Sequence, residues 1–150
     1  MHPKSALAAA EASKSLLAGV PMPWMKRWPG KFPLSVSDAK GARFVDIDGH
    51  EYVDFCLGDT GAMTGHGVTE IADAVSTQMK RGATTMLPTT DATWVGHELT
   101  RRFGLPKWQF AISATDANRF VLRLARQITG RPKVLVHDWC YHGSVDEALV

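Results

Sequence analysis

The chain has 150 residues, 45% of them hydrophobic, with 17 Lys and Arg against 15 Asp and Glu. This length is enough for one ordinary globular domain or for part of a larger one. The formal net charge of +2 is too small to indicate nucleic-acid or membrane-surface binding, and no apolar run approaches the roughly 18 residues that span a bilayer.

Residues 1–32 predict an N-terminal helix followed by an irregular arm. Polar and charged residues interrupt the Ala-rich start, which excludes a secretory signal. Four prolines in 19–33 exclude regular structure there, so Trp24 is expected to anchor an irregular segment. Without an export signal, Cys56 and Cys140 favour free thiols in a reducing cytoplasm.

Residues 33–68 predict a small antiparallel meander and a glycine-rich loop. Strand candidates rich in aromatic and β-branched residues lie at 33–37, 43–47 and 51–56. Asp48-Gly49 separates the last two, and this dipeptide accepts positive φ in a tight hairpin. The following loop is dense in glycine, which suits a backbone that must approach another group closely.

Residues 69–107 predict a helical connection between the meander and the next part of the chain. Thr69 is expected to cap a first helix, which Gly82 ends. Asp91 is expected to cap a second helix, with Gly104 just past its end.

Residues 108–150 predict the start of a larger parallel-sheet domain. An apolar run at 108–112 and a second at 133–137 flank a helix that ends at Gly130 and has one apolar face. Strand, helix and buried strand in this order are typical of a βαβ unit. Because a two-stranded parallel sheet cannot stand alone, the residues predict the N-terminal part of a larger α/β protein.

Ser113-Ala114-Thr115 lies where the first of these strands would turn into the helix. The first N–H groups of a helix have no internal acceptor and its dipole favours an anion, so this turn could bind a phosphate. The same residues also fit a capping box, since Asp116 follows Ser113 by three positions. The residues alone leave both interpretations open, and no Gly-Lys-Ser/Thr loop is present.

Tyr141 and His142 follow the second predicted strand and are expected on the same edge of the sheet as Ser113. An aromatic ring there could stack on a flat cofactor, although packing is the alternative. His66 and Asp59 in the glycine-rich loop are weaker candidates for catalysis. The six histidines show no metal-binding spacing, so no metal site is expected.

Several stretches together resemble the class III aminotransferases, in particular the glutamate-1-semialdehyde 2,1-aminomutase-like branch. They are FPL at 32–34, KGARFVDIDGHEYVDF at 40–55, the Gly65-His66 loop end, SATDAN at 113–118, RLAR at 123–126, TGR at 129–131 and CYHG at 140–143. The similarity runs from about residue 20 to the end of the sequence, with the motifs in the family's order and spacing.

The resemblance implies the N-terminal portion of fold type I of the pyridoxal-phosphate (PLP) enzymes, an α/β fold, in a homodimer with sites at the subunit interface. Ser113, Ala114 and Thr115 would hold the PLP phosphate. Tyr141 would stack on the pyridine ring with His142 beside it, and the loop 84–89 would lie near the partner subunit's cofactor. The substrates would be a small-molecule amino donor and a keto-acid acceptor.

The substrate side of the pocket would include Trp24, Gly58 and Asp59. Here the chain reads LGDTG at 57–61, where the aminomutase has a Ser-Trp-Gly-Pro type stretch. This departure favours a transaminase over the aminomutase. Ala114 and Asp116 also replace a glycine and a glutamate of the family pattern.

None of the lysines (4, 14, 26, 31, 40, 80, 107 and 133) lies at the family's Schiff-base motif. The chemistry needs that amine, so the sequence predicts an N-terminal fragment that has no catalytic residue of its own and is inactive by itself. The alternatives are the aminomutase or a non-catalytic, truncated relic.

Overall fold

The structure is a computed structural model that describes residues 1–147. The chain divides into two compact units, Met1–Thr85 and Met86–Val150. In the first unit lie α1 (Pro3–Ala12), two 3-10 turns (Leu17–Gly19 and Pro23–Arg27), β1 (Val36–Lys40), β2 (Arg43–Asp46), β3 (Glu51–Val53) and α2 (Thr69–Arg81). In the second lie α3 (Thr90–Phe103) and α4 (Ala114–Thr129).

The predicted antiparallel meander is present, with the strand order β1-β2-β3. The first strand lies later than the predicted 33–37, because Lys40 pairs directly with Arg43 around a two-residue turn. Gly41 in that turn has a φ of +57°, which glycine accepts without strain. β3 ends at Val53, before the predicted residue 56.

The turn between β2 and β3 reverses the chain and also contacts the start of α1. Gly49 takes the positive φ, +92°, and its N–H donates to Asp46 O at 3.0 Å. Asp48 needs no positive φ. Its carboxylate instead accepts the backbone N–H groups of Lys4 (2.7 Å) and Ser5 (2.9 Å) at the start of α1. A residue of the hairpin turn thus caps a helix 43 positions earlier in the sequence, and this holds α1 on the meander.

The helices α2 and α3 end as predicted but begin differently. Gly82 and Gly104 follow their last residues, and Gly104 is left-handed. The expected caps are wrong: Val68 and Thr89 hold the N-cap positions, and neither makes a side-chain cap bond. Thr69 and Asp91 lie inside the first turns of α2 and α3. At that position the acidic side chain of Asp91 still complements the helix dipole.

The helix of the predicted βαβ unit forms, and Gly130 follows it in left-handed conformation. The segments 108–112 and 133–137 form no strand within residues 1–147, because a strand exists only beside a hydrogen-bonded neighbour. The apolar face of α4 is accordingly exposed, at Phe120, Val121, Leu124 and Ile128. The predicted domain boundaries stay predictions, and residues 148–150 of the last one lie outside the described range.

No helix among residues 1–147 is both long and apolar enough to cross a membrane.

Candidate functional site

The N-terminus of α4 is the centre of the candidate site. Ser113 is the N-cap; its Oγ accepts the Asp116 N–H at 3.1 Å and donates to Asp116 Oδ2 at 2.8 Å. The capping alternative is therefore confirmed. The N–H groups of Ala114 and Thr115 have no acceptor within the helix. Because Ser113 and Ala114 are exposed, the amides at this end of the dipole are accessible to an anion.

A loop of residues 141–143 packs directly on this turn. Asn118 Nδ2, one turn into α4, donates to His142 O at 2.8 Å. A Cβ on Gly143 would lie 2.7 Å from Thr115 Oγ1 and 3.1 Å from Thr115 Cα. Only a glycine permits this approach. The structure therefore brings the loop 141–143 onto the first turn of α4, while the shared sheet edge stays a prediction because neither flanking segment forms a strand within residues 1–147.

The two aromatic candidates in this loop differ in exposure. The Tyr141 side chain is 78% exposed, so one face of its ring can receive a flat group. His142 is half-buried, and its Nε2 has no hydrogen-bond partner among the described residues. A buried polar atom without a partner is costly, and a bound group is one way to satisfy it.

The substrate-side candidates lie in the first unit. Trp24 is in the 3-10 turn Pro23–Arg27, half-exposed, and its Nε1 donates to Met22 Sδ at 3.3 Å. Its ring meets that of Trp28 edge-on at 6.4 Å. Both partners lie in the arm itself, so the anchoring of the arm by Trp24 stays a prediction.

Gly58 and Asp59 lie in a left-handed turn, in which four consecutive residues, Leu57 to Thr60, have φ between 54° and 74°. Each non-glycine residue in this region costs about 1–2 kcal/mol. Such strain persists only where the surroundings impose it, and two backbone hydrogen bonds close this turn, from Asp59 N–H to Cys56 O at 3.0 Å and from Ala62 N–H to Leu57 O at 2.8 Å.

Asp54 joins the two ends of the glycine-rich loop. Its Oδ1 accepts the N–H groups of Cys56 (2.8 Å) and Leu57 (3.0 Å), and its Oδ2 lies 2.6 Å from His66 Nε2. The hydrogen bond with His66 lowers the pKa of Asp54. His66 and Asp54 thus hold the two ends of the glycine-rich loop together, and the residues next to His66 in the sequence did not indicate this role.

Asn118 and Gly143 are the site residues that sequence reasoning did not select. Gly143 carried a signal, since a glycine directly after an aromatic-His pair suits a close backbone approach. Asn118 carried none, because its partner is a carbonyl 24 positions away.

The geometry defines a helix N-terminus flanked by the Ser113 and Thr115 hydroxyls, with the loop 141–143 packed on its first turn. Residues 24–150 match the sequence pattern of the family Aminotransferase class-III. The chain belongs to this family.

Relatives found by sequence similarity support membership in the same family. A glutamate-1-semialdehyde 2,1-aminomutase of Methanocaldococcus jannaschii is 34% identical over 141 residues, which cover 93% of this chain and 33% of that protein. The chain therefore spans about a third of the length of the relatives that it matches.

Solved structures confirm the expected fold, which is the N-terminal portion of a fold type I PLP-dependent transferase. A glutamate-1-semialdehyde-aminomutase from Pseudomonas aeruginosa PAO1 is 59% identical, with a TM-score of 0.92 over 98% of this chain and 32% of that one. An omega-transaminase from Sphaerobacter thermophilus is 32% identical, with a TM-score of 0.83 over 95% of this chain and 32% of that one. A transaminase with PLP bound is 28% identical, with a TM-score of 0.88 over 97% of this chain and 34% of that one.

Proposed function

We propose that the full-length protein is a PLP-dependent aminotransferase that moves an amino group between an amino acid or amine and a keto acid. The observation that carries this proposal is the open first turn of α4 with the loop 141–143 packed on it. Membership in the class III family supports it, as does the match to a transaminase with PLP bound.

The residues of the candidate site fit the PLP phosphate and ring. The Ser113 and Thr115 hydroxyls and the amides of Ala114 and Thr115 would hold the phosphate dianion, since charge-assisted hydrogen bonds are the strong ones. The exposed ring of Tyr141 would cover the pyridine face, and the unpaired Nε2 of His142 would find a partner beside it.

PLP supplies an electron sink for the carbanion at the substrate carbon. The described residues would bind and orient it, and no lysine among them lies at the Schiff-base motif. We propose that another part of the full-length protein supplies the amine that would hold PLP and move the proton at the substrate carbon.

Asp116 works against phosphate binding in one respect. Its carboxylate accepts the hydrogen bond of the Ser113 hydroxyl, with 2.8 Å between the two oxygens, so that hydroxyl must rotate before it can donate to a phosphate. Its negative charge also lies within the first turn of α4, in direct contact with a hydroxyl of the anion site. The capped helix is thus the resting state that phosphate binding would have to replace.

The assembly and location of the protein are further parts of this proposal. We propose a cytoplasmic homodimer in which the loop 84–89 approaches the partner subunit's cofactor. Met86 in that loop is fully exposed, and a large apolar side chain in this state supports an interface with another subunit. The exposed free thiols Cys56 and Cys140 suit a reducing compartment. On the substrate side we propose Trp24, Gly58 and Asp59.

Cofactor affinity of the full-length protein tests the assignment of the phosphate site. Ser113→Ala removes one charge-assisted hydrogen bond worth about 1.5–3 kcal/mol, so the Kd for PLP should rise about 10- to 100-fold. Thr129→Ala is the matched control, because it removes a hydroxyl at the far end of the same helix, where Oγ1 donates to Ala125 O. Asp116→Asn should tighten binding about threefold by removing a like charge. Equal Kd values for the Ser113 and Thr129 variants would contradict the assignment.

Intramolecular amino transfer is the second candidate, favoured by the 59% identity to a glutamate-1-semialdehyde-aminomutase. The left-handed turn at Leu57 to Thr60, where the sequence departs from the aminomutase pattern, favours the transaminase. Transamination consumes a separate keto acid, whereas intramolecular transfer needs none. Turnover of glutamate 1-semialdehyde without an added acceptor would establish the second candidate, and acceptor-dependent deamination of amines would establish the first.

A further inference from the structure

Two histidines and a buried aspartate converge where the N-terminal helix meets the meander. His2 directly precedes α1, Asp46 ends β2, and His50 directly precedes β3. His2 Nδ1 and His50 Nδ1 each lie 3.1 Å from Asp46 Oδ2. One ligand atom from each residue lies within 4.8 Å of the other two.

The carboxylate at the centre is rigidly oriented. Asp46 is 1% exposed, and its Oδ1 accepts the backbone N–H groups of Asp48 and His50, both at 2.9 Å. The Tyr52 hydroxyl donates to Oδ2 at 2.9 Å. Outer hydrogen bonds of this kind orient the carboxylates that bind metal ions.

Three groups crowd Asp46 Oδ2. The Tyr52 hydroxyl donates to it at 2.9 Å, and the Nδ1 atoms of His2 and His50 each lie 3.1 Å from it. With the imidazole protons on Nε2, both Nδ1 atoms offer a lone pair, and together with the carboxylate oxygen they can bind a single cation. The two rings meet edge-on, with centroids 4.5 Å apart, so both nitrogens can face one point.

We propose that His2, Asp46 and His50 bind one divalent transition-metal ion of the Zn²⁺ class. Two imidazole nitrogens and one carboxylate oxygen are an established ligand set for this ion. The side chains of His2 and His50 are 34% and 45% exposed, so the ion has a path from solvent and water completes its coordination.

The ion would fasten α1 to the meander across 44 positions of sequence. Asp48 already holds the start of α1 through Lys4 and Ser5, which places His2 before any ion arrives. Because the site exists only when both elements are folded, ion binding stabilises the folded first unit. The spacing of the histidines in the sequence gave no sign of it, since His2 is remote from the other two ligands.

Calorimetric titration of ZnCl₂ into tag-free, metal-stripped full-length protein tests the proposal. We expect one equivalent of Zn²⁺ whose affinity falls at least tenfold in His2→Ala and in His50→Gln. Tyr52→Phe should weaken it about tenfold, because it frees the carboxylate. His97→Ala, at an exposed histidine of α3, is the matched control and should bind as the parent does.

Two further readouts keep the test independent of folding defects. His2→Ala leaves the Asp48 cap intact, so its melting temperature without metal should stay near that of the parent, while the rise on adding Zn²⁺ should be lost. Co²⁺ should give visible ligand-field absorption in the parent but not in His50→Gln. Failure of the parent to bind Zn²⁺, or equal affinities in the parent and both histidine variants, would overturn the proposal.

Discussion

Gly143→Ala probes the contact on which the candidate site is built. The φ of Gly143 is +97°, which costs a residue with a Cβ about 1–3 kcal/mol. The added methyl would also lie 2.7 Å from Thr115 Oγ1 and 3.1 Å from Thr115 Cα. Overpacking of this kind costs a further 1–3 kcal/mol, roughly.

Gly130→Ala separates the two costs. Gly130 also has a positive φ, +67°, but nothing lies within 4 Å of the place where its Cβ would be. It therefore carries only the backbone strain, at about 1–2 kcal/mol. Thr115→Ala in the Gly143→Ala background removes the nearest clashing atom and should recover part of the loss, while the contact with the backbone Cα remains.

Thermal unfolding of the apo form of the full-length protein is the assay, since cofactor binding then adds nothing to stability. Because the full-length relatives are about three times as long as this chain, 1 kcal/mol corresponds to about 1 °C, and Gly143→Ala should unfold about 1–3 °C below Gly130→Ala. It should also retain less PLP after gel filtration, because the loop 141–143 must move away from the start of α4. If the two glycine variants melted together, the loop would not pack on Thr115 and the site as described would be wrong.

The remaining predictions concern the capping of α1, one acidic group and the bare chain. Asp48→Ala should lower the melting temperature by several degrees and expose α1 to proteolysis, while Asp38→Ala, at an exposed position, should do neither. Hydrogen bonds from Arg101 and Arg102 lower the pKa of Glu98 from 4.5 to about 2. Its stabilising effect is therefore complete above pH 4.5 and is lost as the pH falls toward 2, and Glu98→Gln should lose less melting temperature than the parent between about pH 5 and pH 3. The 150-residue chain alone should aggregate in light-scattering measurements, because its apolar faces are exposed; a monomer with a cooperative melt would contradict this.

The hydrogen-bond partners of the Asp46 carboxyl come partly from nearby sequence and partly from a distant element. Burial raises its pKa, but hydrogen bonds from His50 and Tyr52 outweigh burial and hold the pKa well below its ordinary value. His50 and Tyr52 are close to Asp46 in sequence, and the tight hairpin brings them within hydrogen-bond distance of it. His2 comes from another element, and no local pattern predicts its arrival.

Periodicity and glycine positions in the sequence determined the helices, their C-terminal ends and the meander, because these depend on contacts between near neighbours. Local spacing offered the capping of α4 by Ser113 as one of two interpretations, and the order of motifs indicated the family. Only the tertiary structure decided that Asp48 caps α1, that Gly143 packs on Thr115 and that His66 pairs with Asp54. Each of these joins residues far apart along the chain, and which distant groups meet depends on how whole elements pack.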